Sequence, residues 1–223
     1  GGLNISYDRG RTWQDIPMPL GQCYSVAVDM DVPFNVYTAL QDGMSWYGSS
    51  ASVPGVTEPW KRFPAGERSA LAFDHSDYRT IYSTAGLNRI DRKTMTAVSI
   101  EPRDIRGELR KSWFPPLIVS PHNPRILYFG AQTLLMSLDR GDRWRVISPD
   151  LSSPDPDRQG TVHIQFGTIT AISESPLRFG LIYAGTDDGN VHVTRDGGVS
   201  WARIMNGLPN DRWVSRIEAS RFD

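Results

Sequence analysis

Short apolar runs alternate with polar turns along nearly the whole chain, and they recur in a fixed order. An apolar strand is followed by a proline-rich or polar turn, then a second strand centred on tyrosine, then a glycine turn. The order appears at 24–28, 31–33 and 36–39, again at 69–73, 77–79 and 81–83, at 116–120, 123–125 and 127–130, and at 170–175, 176–178 and 182–185. A further β run follows the second strand in each copy, as at 134–138 and 190–194, and the last of these alternates in polarity as a half-buried strand does. The central tyrosines, Tyr37, Tyr82, Tyr128 and Tyr183, lie 45, 46 and 55 residues apart. The longest gap holds an Asp- and Pro-rich stretch, 149–160, that reads as a surface loop between units. A period near 45 with about four strands per unit predicts propeller blades.

The expected fold is therefore all-β: a β-propeller of about four complete four-stranded blades, with partial blades at both ends. Residues 1–22 read as the third and fourth strands of a blade, then 23–67, 68–112, 113–160 (with its loop) and 161–212 as blades, and 213–223 as the first strand of another. Incomplete units at both ends suggest a piece of a larger ring, because open blade edges invite aggregation.

A finer motif recurs three times: Ser6-x-Asp8-x-Gly10-x-x-Trp13, Ser137-x-Asp139-x-Gly141-x-x-Trp144 and Thr194-x-Asp196-x-Gly198-x-x-Trp201. The carboxylate can accept hydrogen bonds from the N–H groups of its own turn. Glycine supplies positive φ, and the indole is expected to pack over the turn. Residues 23–67 lack the motif, and 68–112 keep a trace around Asp91. The pattern resembles the Asp-box, or bacterial neuraminidase, repeat of sialidases, sortilin-type receptors, xyloglucan-cleaving glycoside hydrolases and photosystem II assembly factors. The likeness is nearest to bacterial sortilin-like or "glycosyl hydrolase" repeat proteins. That resemblance implies a propeller whose boxes sit on the third-to-fourth-strand turn and are structural.

Glycoside hydrolysis needs two carboxylates about 5–10 Å apart. Candidate acids outside the boxes are Asp29, Asp42, Asp74, Asp187, Asp188 and Glu218. Asp187 is the leading one: 186–189 is similar to a turn that bears a catalytic Asp in xyloglucan-cleaving enzymes, although that motif continues through paired glycines and this chain continues Gly189-Asn190-Val191. Asp42-Gly43 invites the same alternative, and hairpin geometry alone also accounts for both. Three arginines that would converge on a substrate carboxylate, as a sialidase requires, are not identifiable: Arg9, Arg140 and Arg195 sit beside the boxes. His75, His122, His163 and His192 have no metal-ligand spacing. The stretch from Asp155 partly matches a calcium loop but has Phe166 where a glutamate should stand. No metal or cofactor is expected.

Arg103, Arg106, Arg110 and Lys111 precede Trp113 in a basic inter-blade loop. Arg and Trp dominate protein interfaces, so Arg103, Arg106, Arg110 and Trp113 are candidate partner-binding residues. Trp46 and Trp60, which flank a Ser/Gly/Pro-rich stretch, are a second candidate set, able also to stack on sugars.

Composition narrows the field. Gly and Pro together are 36 of 223 residues, more punctuation than a helical bundle tolerates. A formal net charge of −1 excludes a general nucleic-acid-binding surface. No apolar run approaches the roughly 20 residues of a membrane span. The single Cys23 excludes an internal disulfide and reads as a small buried hydrophobe. The leading functional expectation is a non-catalytic interaction propeller outside the cytoplasm, periplasmic or secreted. It would bind a protein or peptide; the alternatives, with a glycan as partner, are a xyloglucanase-like glycoside hydrolase or an inactive carbohydrate-binding relative. An extrinsic subunit or assembly factor of a larger complex is one specific form of the leading reading.

Overall fold

The computed structural model describes residues 3–16, 21–52, 60–153, 155, 159, 165–210 and 212–222, and these form strands and turns with no helix. Four antiparallel sheets of four strands each follow one another along the chain as simple meanders. The first blade is β3 (Cys23–Val28), β4 (Asn35–Leu40), β5 (Ser45–Ser49) and β6 (Lys61–Phe63). The second is β7 (Leu71–Phe73), β8 (Thr80–Ser83), β9 (Asn88–Asp91) and β10 (Thr96–Ser99). The third is β11 (Leu117–Val119), β12 (Leu127–Gly130), β13 (Leu134–Ser137) and β14 (Arg145–Val146). The fourth is β15 (Ile169–Glu174), β16 (Ile182–Thr186), β17 (Val191–Thr194) and β18 (Ala202–Arg203). A separate hairpin, β1 (Leu3–Ile5) with β2 (Gln14–Ile16), precedes them.

First strands of successive blades touch, β3 with β7, β7 with β11 and β11 with β15. The sheets therefore fan with their first strands innermost, as in a β-propeller. Meander topology then defines two rims. One carries the second-to-third-strand turns and the linkers into the next blade. The other carries the first-to-second turns and the third-to-fourth hairpins.

Alternation of side chains along each strand sends one set toward the preceding blade and the other toward the following one. An apolar core consequently fills each joint. Tyr37 and Phe63 meet Ile81, Ile90, Leu71 and Phe73 at the first joint. Tyr82, Leu87 and Ile100 meet Leu117, Leu127 and Phe129 at the second, and Tyr128, Leu134 and Met136 meet Ile169, Ile172 and Ile182 at the third.

The three acidic hairpins share one geometry. Asp8 accepts from the N–H groups of Arg11 (2.9 Å) and Thr12 (2.8 Å), and Gly10 N–H donates to the Ser6 hydroxyl at 2.6 Å. Asp139 accepts from Arg143 N–H at 2.9 Å, and Asp196 from Ser200 N–H at 2.9 Å. The hydroxyls of Thr12 and Ser200 help hold Asp8 and Asp196 down to about 2. Asp91 repeats the arrangement without the full motif: Lys93 and Thr94 N–H groups bond it, and the Arg79 guanidinium is the first cause of its pKa near 2.

Trp144 and Trp201 do more than the sequence predicts: they reach across the joint to the preceding blade. Trp144 Nε1–H donates to the Ile100 carbonyl of the preceding blade at 2.7 Å, and Trp201 Nε1–H to the Ile147 carbonyl at 2.8 Å. The box glycines make room for this: a Cβ on Gly141 would stand 2.5 Å from Ile100 Cδ1, and one on Gly198 2.5 Å from the Ile147 carbonyl. Their φ angles of +92° and +99° disfavour a side chain independently.

Charged and imidazole clasps reinforce the joints. Arg92 pairs with the fully buried Asp29 across the first joint, and Arg140 with the fully buried Asp74 across the second at 2.9 Å. His75 Nε2 bonds the Ser120 carbonyl, and His122 Nε2 the Ser175 carbonyl, each at 2.8 Å.

Several local expectations change. Leu151, in the supposed surface loop, is buried in the third core; the apolar side chain folds in where the joint has room. Cys23 is exposed, because it starts β3 at the rim. Residues 214–220 form no regular strand. They nevertheless occupy a first-strand position: Val214 N–H bonds the Thr186 carbonyl, as Ile169 N–H bonds Ala131 and Arg68 N–H bonds Leu40. No second strand pairs with them among the described residues.

Candidate functional site

The rim of second-to-third turns and linkers gathers most of the candidate residues. The linker 100–116 is fixed at three places. Ile105 and Leu109 pack against the second core. Gln132 Oε1 accepts from Arg110 N–H and Gln165 Oε1 from Lys111 N–H, at 2.9 and 3.0 Å. Beyond these, Trp113 Nε1–H reaches the Tyr24 hydroxyl of the first blade at 3.2 Å. Phe114 stacks on Tyr24 with centroids 5.8 Å apart, and the Arg68 guanidinium lies 3.8 Å over the Trp113 ring. The linker thus ties the first blade to the third. Trp113 stays 44% exposed, which leaves an aromatic and cationic surface on a rigid support.

Arg103 and Arg106 are exposed on this linker. Arg110 is different. Its guanidinium pairs with Asp150 at 2.7 Å and bonds Ser152 and the Gly167 carbonyl, so it clasps two linkers together and is not free for a partner. Trp46 lies half-buried on β5 with Arg62 5.2 Å from its ring centre, on a blade face and away from any loop tip. Trp60 is exposed just before β6; residues 53–59 between them lie outside the described set. Tyr24 and Arg68 were not singled out by sequence. Trp113 and Tyr24 are 89 residues apart, so no local spacing reports their contact.

The acids have specific employments. Asp187 Oδ1 accepts from Gly167 N–H (2.9 Å) and Thr168 N–H (3.1 Å), and Oδ2 from the Thr168 hydroxyl (2.8 Å). Burial pushes its pKa up, against those bonds, with the Asp188 charge adding to the rise. Asp188 bonds the Thr186 hydroxyl, the Asn190 amide and Ser153 N–H. Together the two acids staple the linker between the third and fourth blades to the 186–190 turn. Asp42 is exposed, with φ +50° in its tight turn. Asp29 and Asp74 are the buried joint acids, and Glu218 is an exposed partner of Arg216. Burial on β17 lowers the pKa of His192. His163 and the core of the supposed calcium loop lie outside the described residues, and no group of three or more His, Cys, Asp or Glu able to hold a metal ion occurs among the described ones.

Asp187 gives a signed pH prediction. A carboxyl whose folded pKa is raised binds more protons folded than unfolded, so its contribution to stability falls as pH rises above the ordinary carboxylate range. Asp187→Asn keeps an acceptor for the two N–H groups and carries no charge. Melting curves are expected to show the variant gaining on wild type between pH 4 and 7 (roughly the interval above an unfolded Asp pKa of ~3.9). A difference that stays flat or shrinks with pH would contradict this.

No family model matches the chain, and no curated protein does. Solved structures do. A GH74 enzyme from Niastella koreensis superposes with TM-score 0.57 and 18% identity over 86% of this chain and 30% of its own. The GH74 xyloglucanase from Xanthomonas campestris gives 0.58 and 18% over 97% of this chain and 38% of its own. A Bacteroides thetaiotaomicron structural-genomics protein of unknown function gives 0.53 and 13% over 97% and 58%. At these identities the likeness shows the propeller fold. The chain spans between about a third and three fifths of the length of those proteins. No helix among the described residues is long and apolar enough to cross a membrane.

Proposed function

We propose that this propeller is a non-catalytic interaction module of the Asp-box type. It binds a protein or peptide partner through the rim that carries Trp113, Arg103 and Arg106. The observation that carries the reading is the employment of Asp187. All three of its hydrogen bonds come from the adjoining linker segment, from Gly167 and Thr168, and its neighbour Asp188 is engaged with three further groups. A hydrolytic acid must be free to face substrate; these two hold a turn. The rim linker meanwhile offers what interfaces use, an exposed indole and guanidinium groups on a braced support. The resemblance to sortilin-type receptors and photosystem assembly factors supports a role outside the cytoplasm, including as an extrinsic subunit or assembly factor.

A second reading has its own support. The structural neighbours include a xyloglucanase, and the raised pKa of Asp187 suits a general acid. Incubation with xyloglucan and a panel of other polysaccharides separates the two. The interaction module releases no reducing ends, while a variant carrying Arg103→Ala and Arg106→Ala melts like wild type and loses partner capture. Hydrolysis by wild type that Asp187→Asn abolishes would establish the enzyme instead.

A further inference from the structure

The first two blade joints are built on the same arginines, and the second leaves them short of acid. Backbone bonds fix the correspondence. Arg92 N–H donates to the Arg79 carbonyl in the second blade, and Arg140 N–H to the Arg125 carbonyl in the third, each at 2.9 Å. Asp31 N–H bonds the buried Asp29 as Ser76 N–H bonds the buried Asp74, at 3.2 and 3.0 Å.

The charges around these matched positions differ. Arg92 meets two carboxylates, Asp29 and, at 2.9 Å, Asp31. Arg140 meets Asp74 alone among the described residues, because position 76 is serine. Arg79 pairs with Asp91 at 2.7 Å. Arg125 has no such partner among the described residues: Asp139, the counterpart of Asp91, is engaged by Arg143 at 3.1 Å. Each guanidinium of the second joint thus lacks a carboxylate contact that its counterpart has.

Arg125 and Arg140 line one groove of about 480 Å³ between the second and third blades. Both blades are complete and each has a further blade on its other side, so the groove lies inside the arc. Asp142 on its wall is matched by Arg89 at 2.9 Å, and the same guanidinium holds the Arg140 carbonyl. Beneath the groove the clasp is unsaturated. The Asp74 oxygen facing Arg140 and the hydroxyl of Tyr82, both residues fully buried, have no hydrogen-bond partner among the described residues. In the first joint the Tyr37 hydroxyl bonds Asp29 at 3.1 Å.

The other wall suits an extended chain. Thr96 and Val98 of β10 line the groove, and Val98 is 54% exposed. All four residues of β10 are exposed, and it pairs only with β9 among the described residues. An open strand edge accepts a peptide through backbone groups, with alternate side chains entering whatever lies beside it.

We propose that this groove binds an extended acidic segment of a partner protein, which lies along β10 and sets one carboxylate between Arg125 and Arg140. Charge complementarity carries the assignment: a single bridging carboxylate supplies the contact that both guanidinium groups lack, and arginine holds carboxylates through paired N–H donors. The groove opens on the rim opposite Trp113, so it stands apart from the function proposed above.

The probe is an acetylated, amidated pentapeptide with a central glutamate between β-branched residues, titrated calorimetrically at constant ionic strength beside its glutamine counterpart. The glutamate peptide is expected to bind tighter by on the order of tenfold, the scale of one charge-assisted hydrogen bond. Arg125→Gln is expected to erase that difference. So is Ser76→Asp, which supplies the missing acid from within the chain as Asp31 does for Arg92. Thermal melts report folding, and should one variant not fold, the other decides. Equal affinity for the two peptides, no binding of either, or a preference that survives in a folded variant overturns the proposal. Inorganic phosphate that binds while both peptides stay inert would make the groove a small-anion site and overturn it as well.

Discussion

Trp144→Ala is expected to destabilise the propeller by about 3–5 kcal/mol, the range for removing a buried tryptophan from a packed core. The ring is 6% exposed, packs beside Phe129 and donates to Ile100 across the second joint. Removal leaves a cavity in the joint between the second and third blades and orphans a buried carbonyl. Trp144→Phe separates the contributions: it keeps most of the ring and loses the indole bond, worth about 1 kcal/mol. Urea titrations of the three proteins measure both. Should Trp144→Ala fall within 1 kcal/mol of wild type (about the scale of an ordinary surface change), the tryptophan is not the pin described here.

Asp29→Ala is the second large effect, also about 3–5 kcal/mol, because breaking a buried pair leaves its partner uncompensated. Asp29 is fully buried. It accepts from Asn35 N–H and side-chain amide (both 2.8 Å), from Asp31 N–H (3.2 Å) and from the Tyr37 hydroxyl (3.1 Å), besides pairing with Arg92. Burial raises its pKa and these donors more than offset that, so it stays below the usual carboxylate range. Its stabilising contribution is therefore present at neutral pH and lost on acidification through the shifted value. The distinguishing comparison is the double variant Asp29→Leu with Arg92→Met. It is expected to recover much of the loss, since replacing both members of a buried pair by apolar groups is often neutral. A double variant as unstable as Asp29→Ala would locate the loss in the hydrogen bonds of the β3–β4 turn.

The blade architecture was legible because each unit repeats both its strand order and its punctuation. Tyr37, Tyr82 and Tyr128 all turn out to be buried at blade joints, which is why the tyrosine spacing reported the repeat. The turn chemistry of Asp8, Asp139 and Asp196 was legible for a similar reason, since donor and acceptor lie within four residues. What escaped the sequence was everything that crosses a joint. Trp144 and Ile100 are 44 residues apart, Arg92 and Asp29 are 63, and Trp113 and Tyr24 are 89. Such pairs are set by how one sheet leans on the next, and neither periodicity nor local turn rules encode that. The same gap explains Arg110. Its place in a basic run suggested a free guanidinium, but Asp150 arrives from another linker.

Because the third blade offers Trp144 on one flank and the Ile147 carbonyl on the other, and the fourth repeats the tryptophan at Trp201, the seams of these blades are interchangeable. Any unit built to this rule can stand after any other. Lengthening or shortening such an assembly by whole modules leaves each remaining seam with both its parts, whereas a cut inside a module would strand one of them. The architecture thus favours evolution by duplication and loss of entire blades, with function free to drift in the linkers that the seams hold in place.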